Sequence, residues 1–372
     1  MHCCTDHLAD DPWIRYRPDR HREHHFAADR RHRSGARLIH CRAHSGDEAA
    51  AGRRTRDRQP RRVGHLAIRL DGVGYGADYA QEESARIVRR ALELGVRLFD
   101  TAEIYGWGRS ERILARALGD QRDSVVVASK IFPIAPFPPI VCRRARASAE
   151  RLRLRTIPLY QIHQPNPLVR DSMIMPGFRD LLDDNVIAAV GVSNYSLSRW
   201  RAADAALGRP VVSNQVQFSL AHPGPLADLV PFAEAEGRIL IAYSPLAQGL
   251  LGGKYGPDNR PGGVRSMNPL FGAENLRRVS PLLETLRDVA RHHDVRPAQI
   301  ALAWLLAHPR VVIIPGASSV EQLESNVEAA DIELSAHEVA ELTAAAAAFT
   351  PRSSLRTLLD SAGARVKRVF GG

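Results

Sequence analysis

The segment Phe99-Asp-Thr-Ala-Glu-Ile-Tyr-Gly runs an apolar strand straight into an acid and a phenol. Lys130 closes Ala128-Ser-Lys after an apolar run from Val125, and His163 lies in Gln161-Ile-His-Gln-Pro after a run from Ile157. Three strand ends therefore deliver Asp100, Tyr105, Lys130 and His163. A free phenol titrates at about pH 10 and is a poor proton donor near neutrality. An ammonium a few ångström away stabilises the phenolate and makes the proton easier to give up. Asp100 can hold Lys130 charged and in place, while His163 can orient a carbonyl oxygen. The set reads as a general acid with its orienter, for a carbonyl that is being reduced.

These side chains need a scaffold that presents strand ends together. From residue 80 onward, helix and strand patterns alternate. Residues 82–94 carry apolar side chains at helical spacing and Gly95 closes that helix. Strands read at 96–99, 125–128, 157–162, 188–192, 211–216, 239–242 and 311–314, with a weak one near 66–74. Helical segments at 110–118, 225–236 and 297–308 separate them. The proline-dense run 133–139 reads as a stiff loop, since proline disfavours helix. Alternating strand and helix predicts an α/β fold, a (β/α)8 TIM barrel with an atypical first strand, rather than a doubly wound sheet. Every reactive residue falls at the C-terminal end of a strand, where such barrels carry their active sites.

Further motifs lie downstream. Gly191-Val-Ser-Asn-Tyr lies at the end of the fifth strand, counting the weak one as first, Asn214-Gln-Val-Gln at the next, and Tyr243-Ser-Pro-Leu at the one after. The loop 244–254 contains Gly249, Gly252, Gly253 and Lys254, so backbone amides can approach a pyrophosphate closely. It is not a Walker loop, because Tyr255 follows Lys254 where Ser or Thr is required. With the Asp-Tyr-Lys-His set and the segment 314–326, these motifs resemble the aldo-keto reductase superfamily over roughly residues 72 to 350.

The resemblance implies reduction of an aldehyde or ketone by a nicotinamide cofactor, with Tyr105 as proton donor assisted by Lys130, Asp100 and His163. It implies that Ser193, Asn194 and Gln215 bond the carboxamide and that the nicotinamide stacks on Tyr243. Ser244, Pro245, Leu246, Gly249 and Lys254 would hold the pyrophosphate. Gly316 and Ser318 would meet the 2′-phosphate, and Gln322 and Asn326 the adenine. NADPH is favoured and NADH possible. Ser318 stands where many relatives carry a cation, and Arg265 can supply that charge. Trp107 and Phe132 follow Tyr105 and Lys130 and are expected to shape an apolar substrate wall. The same resemblance extends to potassium-channel β subunits, so a cofactor-binding regulatory or sensor subunit is the alternative function.

Composition narrows the partners. The chain of 372 residues has a net charge of +10, yet residues 1–62 hold 15 arginines against 9 acids, leaving +4 for the other 310 residues. The charge therefore does not mark the barrel as a nucleic-acid binder. No window has the 18 or so apolar residues of a membrane span, and no secretory h-region is visible, so a cytoplasmic protein is expected. Cys3, Cys4, Cys41 and Cys142 lack zinc-ligand spacing, and no metal is expected. Residues 1–62, rich in Arg and His, read as a disordered leader or a mis-assigned start. Residues 63–350 form the barrel, and 351–372 a tail that closes over substrate or covers the barrel's side. A monomer acting on a small-molecule carbonyl is the default.

Overall fold

Parallel strands buried on both faces need continuous apolar runs, and each needs a long crossover to reach its neighbour. Val311-Val-Ile-Ile is such a run, buried at all four positions. The computed structural model describes residues 67–69, 78–256, 258–262, 266 and 268–352. The leader 1–62, Arg265 and the tail beyond Arg352 lie outside the described residues.

The sheet runs β1 (Ala67–Arg69), β2 (Leu98–Asp100), β3 (Val126–Ile131), β4 (Leu159–Ile162), β5 (Val190–Ser193), β6 (Ser213–Gln217), β7 (Ile239–Tyr243) and β8 (Val311–Ile314). Its eight strands are parallel and lie in sequence order. β8 returns beside β1, giving the (β/α)8 barrel. Helices α1 (Asp78–Glu93), α2 (Arg109–Leu118), α3 (Pro138–Leu152), α4 (Asp171–Asp183), α5 (Leu197–Leu207) and α6 (Leu229–Ala235) are the crossovers as far as β7. α7 (Ala273–His292) and α8 (Pro297–Leu306) precede β8, and α9 (Val320–Glu328) and α10 (Ala336–Ala348) follow it. The core fills the layer between sheet and helices: Val127, Val192 and Ile313 meet Val88, Leu114, Val141 and Leu302 in one buried cluster. Among the described residues no helix is long and apolar enough to cross a membrane.

Proline decides two departures from the expected elements. The segment 225–236 reads as one helix but divides into a 3-10 turn, Gly224–Leu226, and α6, because Asp228 leaves helical geometry at φ −144°. The restart places Pro231 in the first turn of α6, where its missing N–H would have had no partner. Likewise α3 starts inside the run expected to be loop, with Pro138 and Pro139 in its first turn.

Along β3 to β6, Lys130, Gln161, Gly191 and Ser213 are register partners and share one face of the sheet. A Cβ on Gly191 would stand 2.4 Å from Ser213 Oγ and 2.8 Å from Gln161 Cγ, so only glycine fits between these side chains.

Candidate active site

Asp100 is the last residue of β2 and Lys130 the penultimate residue of β3, both fully buried. Lys130 Nζ donates to Asp100 Oδ2 at 2.5 Å and to the Thr101 carbonyl at 2.9 Å. Gln215 Nε2, from β6, donates to Asp100 Oδ1 at 2.9 Å. Both carboxylate oxygens are thus satisfied, which a charge pair removed from water requires. Such a pair is a poor device for stability alone, and a charge pair buried at strand ends is a candidate functional site.

Beyond β2 the chain makes a tight turn, with Tyr105 N–H donating to the Ala102 carbonyl at 3.1 Å. A hydroxyl contact of 2.8 Å between Thr101 and Ser110 ties that turn to α2. Tyr105 is half-buried, and Lys130 Nζ lies 5.3 Å from its ring centroid. His163, just past β4, meets the Tyr105 ring edge to face with centroids 5.6 Å apart. The Phe132 ring also meets His163 edge to face, with centroids 5.9 Å apart. The four reactive residues and Phe132 are therefore brought together. Trp107 is not: it is 86% exposed and makes no ring contact with a described residue.

Two residues that sequence reasoning did not single out support this group. Glu103 Oε1 accepts from the Phe132 N–H at 2.6 Å, and Arg144 of α3 holds the same carboxylate, with Nε to Oε2 at 3.0 Å. Arg144 also donates to the Ile134 carbonyl at 3.0 Å. Glu103 lies inside the motif that carries Asp100 and Tyr105, but its partner is 41 residues away and no local pattern reveals the pairing.

Across the mouth, Ser193 Oγ donates to the Gln215 carbonyl at 2.7 Å and Asn194 Nδ2 to Ser193 Oγ at 3.2 Å. Tyr243 OH donates to Asn194 Oδ1 at 3.0 Å. Ser193, Asn194, Gln215 and Tyr243 form one connected group, and Gln215, expected only at a carboxamide, also joins it to Asp100. Tyr195 anchors the strand end from below, donating to Asp171 Oδ1 at 2.7 Å, and Asp171 pairs with Arg199. Burial and the Asp171 carboxylate raise the Tyr195 phenol far above its usual range, so it remains a neutral strut.

The loop after β7 turns its backbone sharply. Ser244, Ala247, Gln248 and Gly249 all have positive φ, the last at 95°, a conformation that favours glycine. Pro245 is buried, Leu246 half-buried and Lys254 exposed. The last segment gathers at the start of α9. Ser318 Oγ donates to Gln322 Oε1 at 2.9 Å, Asn326 Nδ2 reaches the Gly316 carbonyl at 3.5 Å, and a Cβ on Gly316 would meet open space.

Comparison with known proteins agrees with this fold. An uncharacterized oxidoreductase of Mycobacterium tuberculosis is 69% identical over 295 residues, 79% of this chain and 91% of its own. A solved glycerol dehydrogenase from Gluconobacter oxydans superposes with a TM-score of 0.71 at 25% identity, covering 78% of this chain and 93% of that one. An aldo-keto reductase from Klebsiella pneumoniae in complex with NADPH gives 0.63 at 26%, covering 78% and 92%. The profile of the Aldo/keto reductase family matches residues 69–347, from the end of β1 into α10, and the chain belongs to that family.

Proposed function

We propose that the protein reduces an aldehyde or ketone to an alcohol, with Tyr105 as the proton donor and NADPH preferred to NADH. The observation that carries this reading is the buried Asp100–Lys130 pair, 2.5 Å long and aimed at the Tyr105 ring that meets His163. Tyr105 gives its proton to the carbonyl oxygen. Lys130 stabilises the phenolate that remains, Asp100 keeps the ammonium charged and stationary, and His163 orients the carbonyl oxygen before the transfer.

The residues of the opposite half fit a nicotinamide dinucleotide. Asn194 and Ser193 present amide and hydroxyl groups to a carboxamide, and Tyr243 presents a ring face. The positive-φ loop from Ser244 to Gly249 brings its backbone to the barrel mouth, where a pyrophosphate can approach it closely at Gly249, with Lys254 adding charge. Ser318 lies beside the N-terminus of α9, where an anion is stabilised by free N–H groups. The NADPH complex of the Klebsiella relative supports the same cofactor here. When bound, the cofactor supplies the reducing equivalents.

Tyr105→Phe is the test. Turnover should fall about 10²- to 10⁴-fold, while NADPH affinity measured by fluorescence titration changes by less than about twofold. Wild-type turnover in that variant refutes the assignment. Tight NADPH binding by the wild type without turnover of any carbonyl points instead to a sensor.

A further inference from the structure

Residues of α2 and α3 that take no part in the candidate active site enclose a cavity of their own. It has a volume of about 270 Å³ and is lined by Arg112, Arg116, Glu150, Arg151 and Arg153, four guanidinium groups against one carboxylate.

Helix geometry accounts for only part of this charge. Arg116 lies in the last turn of α2 and Arg151 in the last turn of α3, where a cation complements the helix dipole. Arg112 stands four residues before Arg116 on the same face of α2, and like charges at that spacing repel. Arg153 caps α3 at φ 57°, a left-handed position that favours glycine or asparagine. Among the described residues, the side chains of Arg112 and Arg153 have no hydrogen-bond or ion-pair partner, and Glu150 pairs with none of the four arginines. Exposed arginines elsewhere, such as Arg146, Arg209 and Arg291, each pair with an acid.

Arg151 is fixed from the core. Its side chain crosses Gly108, where a Cβ would stand 2.5 Å from both Cδ and Nε. Nε donates to the fully buried Glu111 at 2.5 Å and Nη2 to Ser148 Oγ at 2.8 Å, while Glu111 accepts from Ser129 Oγ of β3 at 2.6 Å. One fork is thus held in place beside two that carry unpaired charge. Guanidinium groups are weakly hydrated, planar donors whose geometry matches phosphate oxygens.

We propose that this cavity binds a small phosphate-bearing anion, with Arg112, Arg151 and Arg153 as donors and Arg116 adding charge. Such a ligand gives the unpaired forks acceptors and removes the repulsion along α2. The site does not depend on the carbonyl chemistry proposed above.

The test is calorimetric titration of pyrophosphate into the full chain saturated with NADPH, so that the cofactor's own phosphate positions are filled, at ionic strength matched with chloride. One equivalent should bind the wild type. Arg112→Gln/Arg153→Gln should weaken binding by at least about tenfold, the cost of one lost charged hydrogen bond. Arg153→Gly suits the left-handed cap, so it should leave the fold at least as stable while still weakening binding about tenfold. A purely structural arginine would change the unfolding midpoint and leave the affinity alone. No saturable binding, or equal affinity in all three proteins, overturns the proposal. A short RNA that binds the wild type and not the double variant, with no binding of pyrophosphate, makes the cavity part of a nucleic-acid surface and also overturns it. If NADPH does not bind, the reductase reading falls, while the affinities of the three proteins for pyrophosphate still decide this one.

Discussion

The two halves of the barrel mouth solve different problems. The β2–β4 half buries a charge pair, packs rings on a phenol and exposes apolar side chains at its rim. The β5–β8 half has no exposed large apolar residue among those described; it offers a chain of hydroxyls and amides and a loop with four successive or near-successive positive-φ residues. A proton donor needs a neighbouring charge fixed in low dielectric, which burial provides. A polyanionic cofactor needs backbone that it can approach closely, which left-handed turns provide at about 1 to 3 kcal/mol for each non-glycine residue. Gln215 joins the halves, with its carbonyl in one network and its side-chain amide on Asp100.

If this division is real, substitutions in each half should move different constants. The largest effect is expected for Lys130→Met. Turnover should fall about 10²- to 10⁴-fold, and the uncompensated Asp100 carboxylate should lower unfolding stability by about 3 to 5 kcal/mol. NADPH affinity should hardly change. Titration and chemical denaturation check this, and a loss of NADPH affinity matching that of Asn194→Ala would break the comparison.

Next in size is the support beneath the catalytic half. Arg144→Met frees Glu103 and loosens the segment that carries Phe132 and Ile134. Displacing a positioned wall by about 1 Å can cost up to 10²-fold, so a drop in kcat/KM of about tenfold is expected. It should appear mainly in KM for the carbonyl, and Arg144→Lys should recover part of it by keeping one charged contact. An unchanged KM would show that Phe132 is placed by packing on His163 alone.

What the sequence discloses follows the same division between local and distant. Asp100, Tyr105, Lys130 and His163 are legible because each sits in a short motif at a strand end, and the barrel turns strand order into proximity. Ser193, Asn194 and Tyr243 are legible for the same reason. Arg144 is not, since an arginine on a helix looks alike whether it faces solvent or a carboxylate 41 residues earlier. The second role of Gln215 depends on a contact across 115 residues and is equally hidden. Trp107 reads as a wall because it follows Tyr105, but Gly106 and Trp107 both take positive φ and the indole ends in solvent. The restart of α6 is legible afterwards from Pro231, yet the pattern of apolar residues alone runs through it.

In the binding half a smaller effect is expected for Tyr243→Phe. It removes the hydroxyl that donates to Asn194 Oδ1 and keeps the ring. A hydrogen bond of this kind contributes about 0.5 to 1.5 kcal/mol, so NADPH affinity should weaken by roughly two- to twelvefold. Turnover at saturating cofactor should stay within about twofold of wild type. A fall in turnover with unchanged affinity would mean that Tyr243 belongs with the chemistry.

The smallest effect concerns stability, and it too separates the halves. Burial lowers the imidazole pKa of His222, after β6, and of His308, before β8, from the ordinary value of 6.5. His308 is wedged against Trp304 at 4.8 Å between ring centroids, and its buried Nε2 has no hydrogen-bond partner among the described residues. Below pH 6.5 the unfolded chain therefore binds protons that the folded one refuses, so stability is lost as pH falls through the unfolded value and levels off below the folded one. The difference in unfolding free energy between pH 7.5 and pH 5.5 should accordingly shrink in His222→Gln/His308→Phe, whatever the variant's stability at either pH. Because these histidines pack on the β5–β8 side, hydrogen exchange at pH 5.5 should quicken first in β6, α8 and β8. Faster exchange in β2 and β3 instead would place the acid-sensitive step in the buried Asp100–Lys130 half.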